Sequence, residues 1–303
     1  MPAAVNRDGA TIDHHSSGIP VTDVSGLGEV PPPELRFRRR VALRSALSDL
    51  WRARELVRSL TERQLRARYK QASLGVAWAV ITPLVYMIVF TLFFNRVAEV
   101  DTGGAPYALF SYIGLLPWTF FSTSVSQAAL SLVTNMSLLN KVSCPREVFP
   151  LSSVASAGVD TAIATLVLGL LFVVTGYAPR ATSVWIPVLA LIGLAFTTAV
   201  SLVLGVLTVY LRDLRHVLPI FLQVGLFATP VAYGIEVVPA NLRGVYSALN
   251  PIAPVIDGLR RAVLEGHAPR TGLVVIAALS SAVQLFVGYR VFKRLETGVA
   301  DVA

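Results

Sequence analysis

The chain has 303 residues, 54% of them hydrophobic and only 15% charged, with 26 Lys and Arg against 18 Asp and Glu for a net charge of +8. Soluble domains run to roughly 25% charged residues, so this composition excludes an ordinary soluble domain and points to lipid as the solvent. The single cysteine, Cys144, excludes an intrachain disulfide and a cysteine-based zinc cage, and 13 of the basic residues lie before Ser73, which fits basic segments against anionic headgroups rather than nucleic acid.

Residues 1–35 lack an apolar signal-peptide core and carry Gly18, Pro20, Gly26, Gly28 and Pro31 to Pro33, so a disordered cytoplasmic tail is expected. Its His14 and His15 are read as solvated, with no metal site. Residues 36–72 begin with the basic run Arg36 to Arg40 and continue as an amphipathic helix. Leu43, Leu47, Leu50, Trp51, Val57 and Leu65 share one face at helical spacing. Arg54 and Arg58 intrude on that stripe, where long side chains can snorkel. Two readings stand: a basic helix in the plane of the membrane interface, or a soluble helix packed on a partner.

Residues 73–294 hold six apolar blocks at about 74–94, 108–133, 154–175, 184–209, 217–233 and 273–292. A span needs about 20 apolar residues. The fifth is the shortest, bounded by Pro219 and Pro230, and Pro117 in the second predicts a kink. Residues 295–303 form the C-terminus. With both ends cytoplasmic, the inside holds the 13 early basic residues plus Lys141, Arg146, Arg212, Arg215, Arg290, Lys293 and Arg294. The outside then holds Arg96, Arg180, Arg243, Arg260, Arg261 and Arg270. That is the positive-inside asymmetry. The expected fold is an all-α membrane protein with six transmembrane helices behind an interfacial helix. The segment from Gly234 to Thr271 is too polar to span and too apolar for a plain loop. Short helices re-entering the membrane and a surface loop both fit it.

No lysine stands in a phosphate-binding loop: Lys70, Lys141 and Lys293 are followed by Gln71, Val142 and Arg294. Asp160 is the one charge clearly within a span, and either a coupling-ion role or pairing with a polar group of a neighbouring helix would account for it. Without energy-coupling chemistry of its own, the chain would borrow it. The loop from Asn140 to Pro150 mixes Lys141, Arg146 and Glu147 with Val142, Val148 and Phe149 between prolines, the pattern of a short segment docking into a partner's groove.

Four segments, in their order and spacing, resemble the permease subunits of type-2 ABC exporters of cell-envelope polysaccharide, over about Arg36 to Arg294. They are Arg68-Tyr-Lys-Gln-Ala-Ser-Leu-Gly-Val-Ala-Trp78 followed by Pro83, Lys141-Val-Ser-Cys-Pro-Arg-Glu-Val-Phe-Pro150, Tyr210-Leu-Arg-Asp-Leu-Arg215, and Asn250-Pro251. The resemblance implies a non-enzymatic homodimer in the inner membrane, bound to two copies of a separate ATPase subunit that carries ATP and Mg. The cargo would be a lipid-linked polysaccharide, O-antigen or galactan-like. Lys141, Val142, Pro145, Arg146, Glu147 and Phe149 would form the ATPase-coupling segment, with Arg212 and Asp213 as a second contact. Arg66, Arg68 and Lys70 would meet the lipid pyrophosphate, or headgroups alone. Asn250 and Pro251 would belong to re-entrant outer gate helices. A glycan path needs aromatic faces, for which Tyr86, Phe90, Phe93, Tyr112, Trp118 and Phe121 are candidates; packing against lipid or core is the alternative for each. An ABC exporter of drugs or small lipids and an ion-coupled carrier are the competing functions.

Overall fold

The computed structural model describes residues 51–70, 75–97, 102, 104–139 and 144–298. The tail, the first part of the amphipathic helix with Leu43, Leu47 and Leu50, Lys141 and Val142, and the last five residues lie outside them. Among the described residues every regular element is helical. In chain order these are α1 (Arg54–Tyr69), α2 (Trp78–Val97), α3 (Tyr107–Thr134), α4 (Met136–Leu139), α5 (Val148–Thr175), α6 (Ile186–Tyr210), α7 (Leu214–Ala228), α8 (Arg243–Leu249), α9 (Ile252–Arg260) and α10 (Thr271–Leu295). Four helices are long and apolar enough to cross a bilayer, at Tyr107–Thr134, Val148–Thr175, Ala181–Tyr210 and Thr271–Gly298. Trp78–Phe93 and Leu214–Ala228 are shorter apolar helices. The protein is embedded in a membrane.

Helix ends follow local chemistry. α5 begins at Val148 with Pro150 in its first turn, where a missing N–H costs nothing. It stops at Gly176, whose φ of 65° places it in the left-handed region that closes helices. α7 stops at Ala228 because Pro230 disfavours helix in the residue before it; Thr229 is extended, with φ −88° and ψ 142°. The fifth apolar block therefore ends in a turn. α3 runs through Pro117 unbroken.

α3 is the centre of the bundle, packed on α2, α5, α6 and α9. Lipid tails are as apolar as the side chains facing them, so helices associate through close backbone approach. Gly205 of α6 provides it against α3: a Cβ there would sit 3.1 Å from the Ala128 carbonyl oxygen. Gly288 of α10 does so against α6, 3.0 Å from the Ala199 carbonyl oxygen.

At one end of the bundle, Leu60 of α1, Phe149 of α5, Leu202 and Val206 of α6 and Phe292 of α10 form a common cluster. Here α1 lies along α5. Thr61 Oγ1 donates to the Ser152 carbonyl at 3.3 Å and Gln64 Nε2 to Ser152 Oγ at 3.0 Å. The face that packs includes Val57, Leu60, Thr61, Gln64 and Arg68, while Trp51 is 70% exposed. At the other end α9 is buried almost throughout and packs on α3, α6 and α10. A π turn at Arg261–Glu265 follows it, tied to the α5–α6 connection by Tyr177 Oη donating to the Leu264 carbonyl at 2.8 Å.

Candidate functional site

A cavity of 590 Å³ opens between α1, α2, α3, α5 and α7. α3 lines it with Trp118, Thr119, Ser122, Thr123, Ser126 and Gln127, residues that recur every three or four positions and so share one helical face. α2 adds Trp78, Thr82 and Tyr86, and α7 adds Pro219, Gln223 and Leu226. The wall thus sets hydroxyls, carboxamides and aromatic faces among aliphatic side chains such as Leu115, Leu222 and Ala164. Thr119 Oγ1 and Ser122 Oγ donate to carbonyls of their own helix, Leu116 at 3.1 Å and Thr119 at 3.3 Å. Their lone pairs stay available as acceptors. Gln127 Oε1 is buried with no hydrogen-bond partner.

One end of the cavity carries its charge. Arg68 donates to Asp160 Oδ2 and to Ser156 Oγ at 3.3 Å, and Tyr69 Oη donates to Asp160 Oδ1 at 2.5 Å. Burial, reinforced by the neighbouring carboxylate, pushes the Tyr69 phenol up to about 12, so it remains a donor. Asp160 is therefore held by two groups from α1, and the ion pair ties that helix to the middle of α5. Of the two sequence-level accounts of Asp160, the structure shows pairing. Among the described residues no three His, Cys, Asp or Glu side chains are grouped to hold a metal.

The sequence candidates separate. Of the aromatics, Tyr86 and Trp118 line the cavity. Phe90 is 4% exposed and Tyr112 fully buried in the core, Tyr112 Oη donating to the Ala164 carbonyl at 3.0 Å. Phe121 stacks on Phe196 with centroids 5.2 Å apart, and Phe93 is 64% exposed on the outside of this chain. Arg68 reaches the cavity, whereas Arg66 pairs with Glu62 on the exposed side of α1 at 3.0 Å and Lys70 is exposed.

In the loop before α5, Pro145 and Arg146 are half-buried. Glu147 is 1% exposed and Phe149 fully buried, because α5 already begins at Val148 and its first turn faces the core. Lys293 Nζ donates to Glu147 Oε2 at 2.8 Å, and Arg146 donates to the Glu296 carbonyl. Arg212 and Asp213 are exposed. Pro251 is buried, and Asn250 Nδ2 donates to Thr229 Oγ1 at 2.8 Å, joining the α8–α9 corner to the end of α7.

Two features escaped sequence reading. The hydroxyl stripe of α3 carries a signal: Thr119, Ser122, Thr123, Ser126 and Gln127 are polar residues at helical spacing inside an apolar block. Arg260 carries none. It is 3% exposed, and its guanidinium donates to the carbonyls of Phe110 at 3.1 Å, Pro230 at 2.9 Å, Tyr233 at 2.8 Å and Val231 at 2.5 Å.

A membrane-embedded chain, helical throughout its described residues and with a partly polar cavity among its helices, fits a membrane transport protein. The chain matches the ABC-2 type transporter family over residues 55–264, and it belongs to that family. It is 32% identical over 246 residues to the O-antigen export system permease protein RfbA of Myxococcus xanthus, covering 81% of this chain and 94% of that one. A Klebsiella pneumoniae protein of the same name is 27% identical, with 82% and 95% covered. The polysialic acid transport protein KpsM of Escherichia coli is 23% identical, with 79% and 93% covered.

Proposed function

We propose that the chain is the permease subunit of an ATP-driven exporter that moves a lipid-linked polysaccharide, O-antigen or galactan-like, across the cytoplasmic membrane. The observation that carries the reading is the cavity wall of hydroxyls and carboxamides with Tyr86 and Trp118 at its sides. Such a wall offers sugars exchangeable hydrogen bonds and apolar ring faces without a fixed charge along its length, which suits a polymer that must slide.

In this reading α2, α3, α5, α6, α7 and α10 are six spans, both ends are cytoplasmic, and the cluster of α1 with the start of α5 is the inner side. α8 and α9 are re-entrant gate helices around Asn250 and Pro251. Two copies assemble with two ATPase subunits that hold ATP and Mg. Lys141, Val142, Arg212 and Asp213 supply the contact surface, while Arg146, Glu147 and Phe149 anchor the contact loop to the bundle. Arg68 with Tyr69 and Asp160 marks where the pyrophosphate end of the cargo enters. Asp160, engaged on both oxygens by Arg68 and Tyr69, is not free to act as the coupling carboxylate of an ion-coupled carrier.

The test is to deplete the protein and measure lipid-linked glycan on each side of the membrane. Inner-side accumulation is expected, relieved by the wild-type chain but not by Gln127→Leu with Gln223→Leu. Unchanged distribution would sink the proposal. A second reading, an exporter of drugs or small lipids, is favoured by an apolar groove of 930 Å³ running between α5 and α6. It predicts that Gly158→Leu in that groove blocks transport while the cavity variants leave it intact.

A further inference from the structure

The last helix carries polar anchors at two heights. At its inner end Lys293 Nζ donates to Glu147 Oε2 at 2.8 Å and Glu296 Oε1 at 3.0 Å. Further up, Gln284 Nε2 donates to the Ala248 carbonyl at 3.0 Å, and Ser280 Oγ donates to the same carbonyl. Ala248 lies in the last turn of α8, where helix carbonyls lack an intrahelical partner. Lys293 and Ser280 are thirteen residues apart, about 20 Å along the helix.

Each anchor is costly to release. Glu147 is 1% exposed, and a buried carboxylate deprived of its cation is strongly disfavoured. The loop before α5 therefore cannot leave α10 without stranding a charge. Without both donors the Ala248 carbonyl would be left unsatisfied at the end of its helix, so α8 is held to α10 in the same way. Between these points α10 is seated on α6. Gly288 lets the backbones touch, and just past Lys293 Tyr210 Oη donates to the Leu295 carbonyl at 2.6 Å.

We infer that α10 is the rod that carries displacement of the partner-facing loop to the outer helices, with Lys293 and Gln284 as the positioning residues at its two attachments. This rests on the ATP-driven exporter reading. Movement of Glu147 draws Lys293 with it, α10 and α6 shift as one body, and Ala248 follows through Gln284 and Ser280.

The test uses the permease with its ATPase in proteoliposomes, on a Cys144→Ser background with Leu249→Cys as reporter; Leu249 is 74% exposed. A membrane-impermeant maleimide reads the labelling rate before and after ATP with vanadate. The parent should change its rate severalfold. Lys293→Met, and Gln284→Leu combined with Ser280→Ala, should each abolish the change while ATP hydrolysis and ATPase binding persist, and Lys293→Arg, which keeps the cation between Glu147 and Glu296, should retain it. The Gln284→Leu, Ser280→Ala pair is apolar and suits lipid, so it carries the test should Lys293→Met not fold. A Gln284→Leu, Ser280→Ala variant that responds like the parent overturns the inference. A parent with no nucleotide response, or with no ATPase bound, overturns the transport reading and the inference with it.

Discussion

The guanidinium of Arg260 lies over the ring of Phe110, 3.6 Å from its centroid, while its nitrogens cap carbonyls of the turn that follows α7. That turn has no ladder of its own, since Pro230 ended the helix. One side chain from α9 thus fixes the end of α7 against the start of α3. Arg260→Gln should leave several buried carbonyls without donors and lower stability by about 3 kcal/mol. Thermal unfolding in detergent measures this. Gly114→Ala should behave alike, since a Cβ there collides with the guanidinium.

Trp118 lies against Gly225 of α7, where an added Cβ would come within 2.7 Å of the indole. Gly225→Ala should push the ring into the cavity. Transport is expected to fall severalfold while ATP hydrolysis continues, with a shift in tryptophan emission reporting the displaced ring.

Asp160 should be more dispensable together with Arg68 than alone. Asp160→Asn strands the guanidinium and should cost about 2 kcal/mol. Adding Arg68→Gln should recover part of it. A double-mutant cycle on melting temperature reads the coupling, and purely additive losses would contradict the pairing.

Asp257 should make the segment around α9 sensitive to pH. Burial pushes its carboxyl from 3.8 up to about 6, against the opposing pull of Arg270 and Arg261 and alongside the charges of Glu236 and Glu265. A raised carboxyl binds more protons folded than unfolded, so its contribution is best below the ordinary carboxylate range and is lost as pH rises through about 6. Glu236 runs the other way. Burial would raise it, but the hydrogen bond and charge of Arg270 outweigh burial and hold it below 4.5, so its contribution is present at neutral pH and lost in acid. Amide protection in α9, corrected for the intrinsic pH dependence of exchange, should therefore fall as pH rises from about 4 to about 6, and Asp257→Asn should flatten that fall.

How much of this was legible in the sequence depended on whether the cause was local. The spans are repeated local patterns, and the end of α5 at Gly176 and of α7 before Pro230 follow from one or two residues. The apolar spacing of α1 is a local pattern, yet its packing face includes Thr61, Gln64 and Arg68, polar residues whose partners on α5 are some ninety positions away. Glu147 and Phe149 looked like outward contacts because charge and aromaticity in a loop suggest a partner; their partners were Lys293 and the α6–α10 seam. Arg260 was counted among the exterior loop charges. Its burial requires carbonyls from α3 and from the turn after α7 to converge, and no run of neighbouring residues encodes that.

α7 has 15 residues, about 22 Å of helix against a hydrocarbon core of about 30 Å. It also forms one wall of the cavity. In the six-span reading, the apolar barrier is therefore shortest beside the cavity, at the end where α7 gives way to the turn pinned by Arg260. In the exporter reading, a hydrophilic polymer there would face a dielectric gap narrower than the bilayer, and lengthening α7 by one turn would bring the insulating thickness close to that of the core.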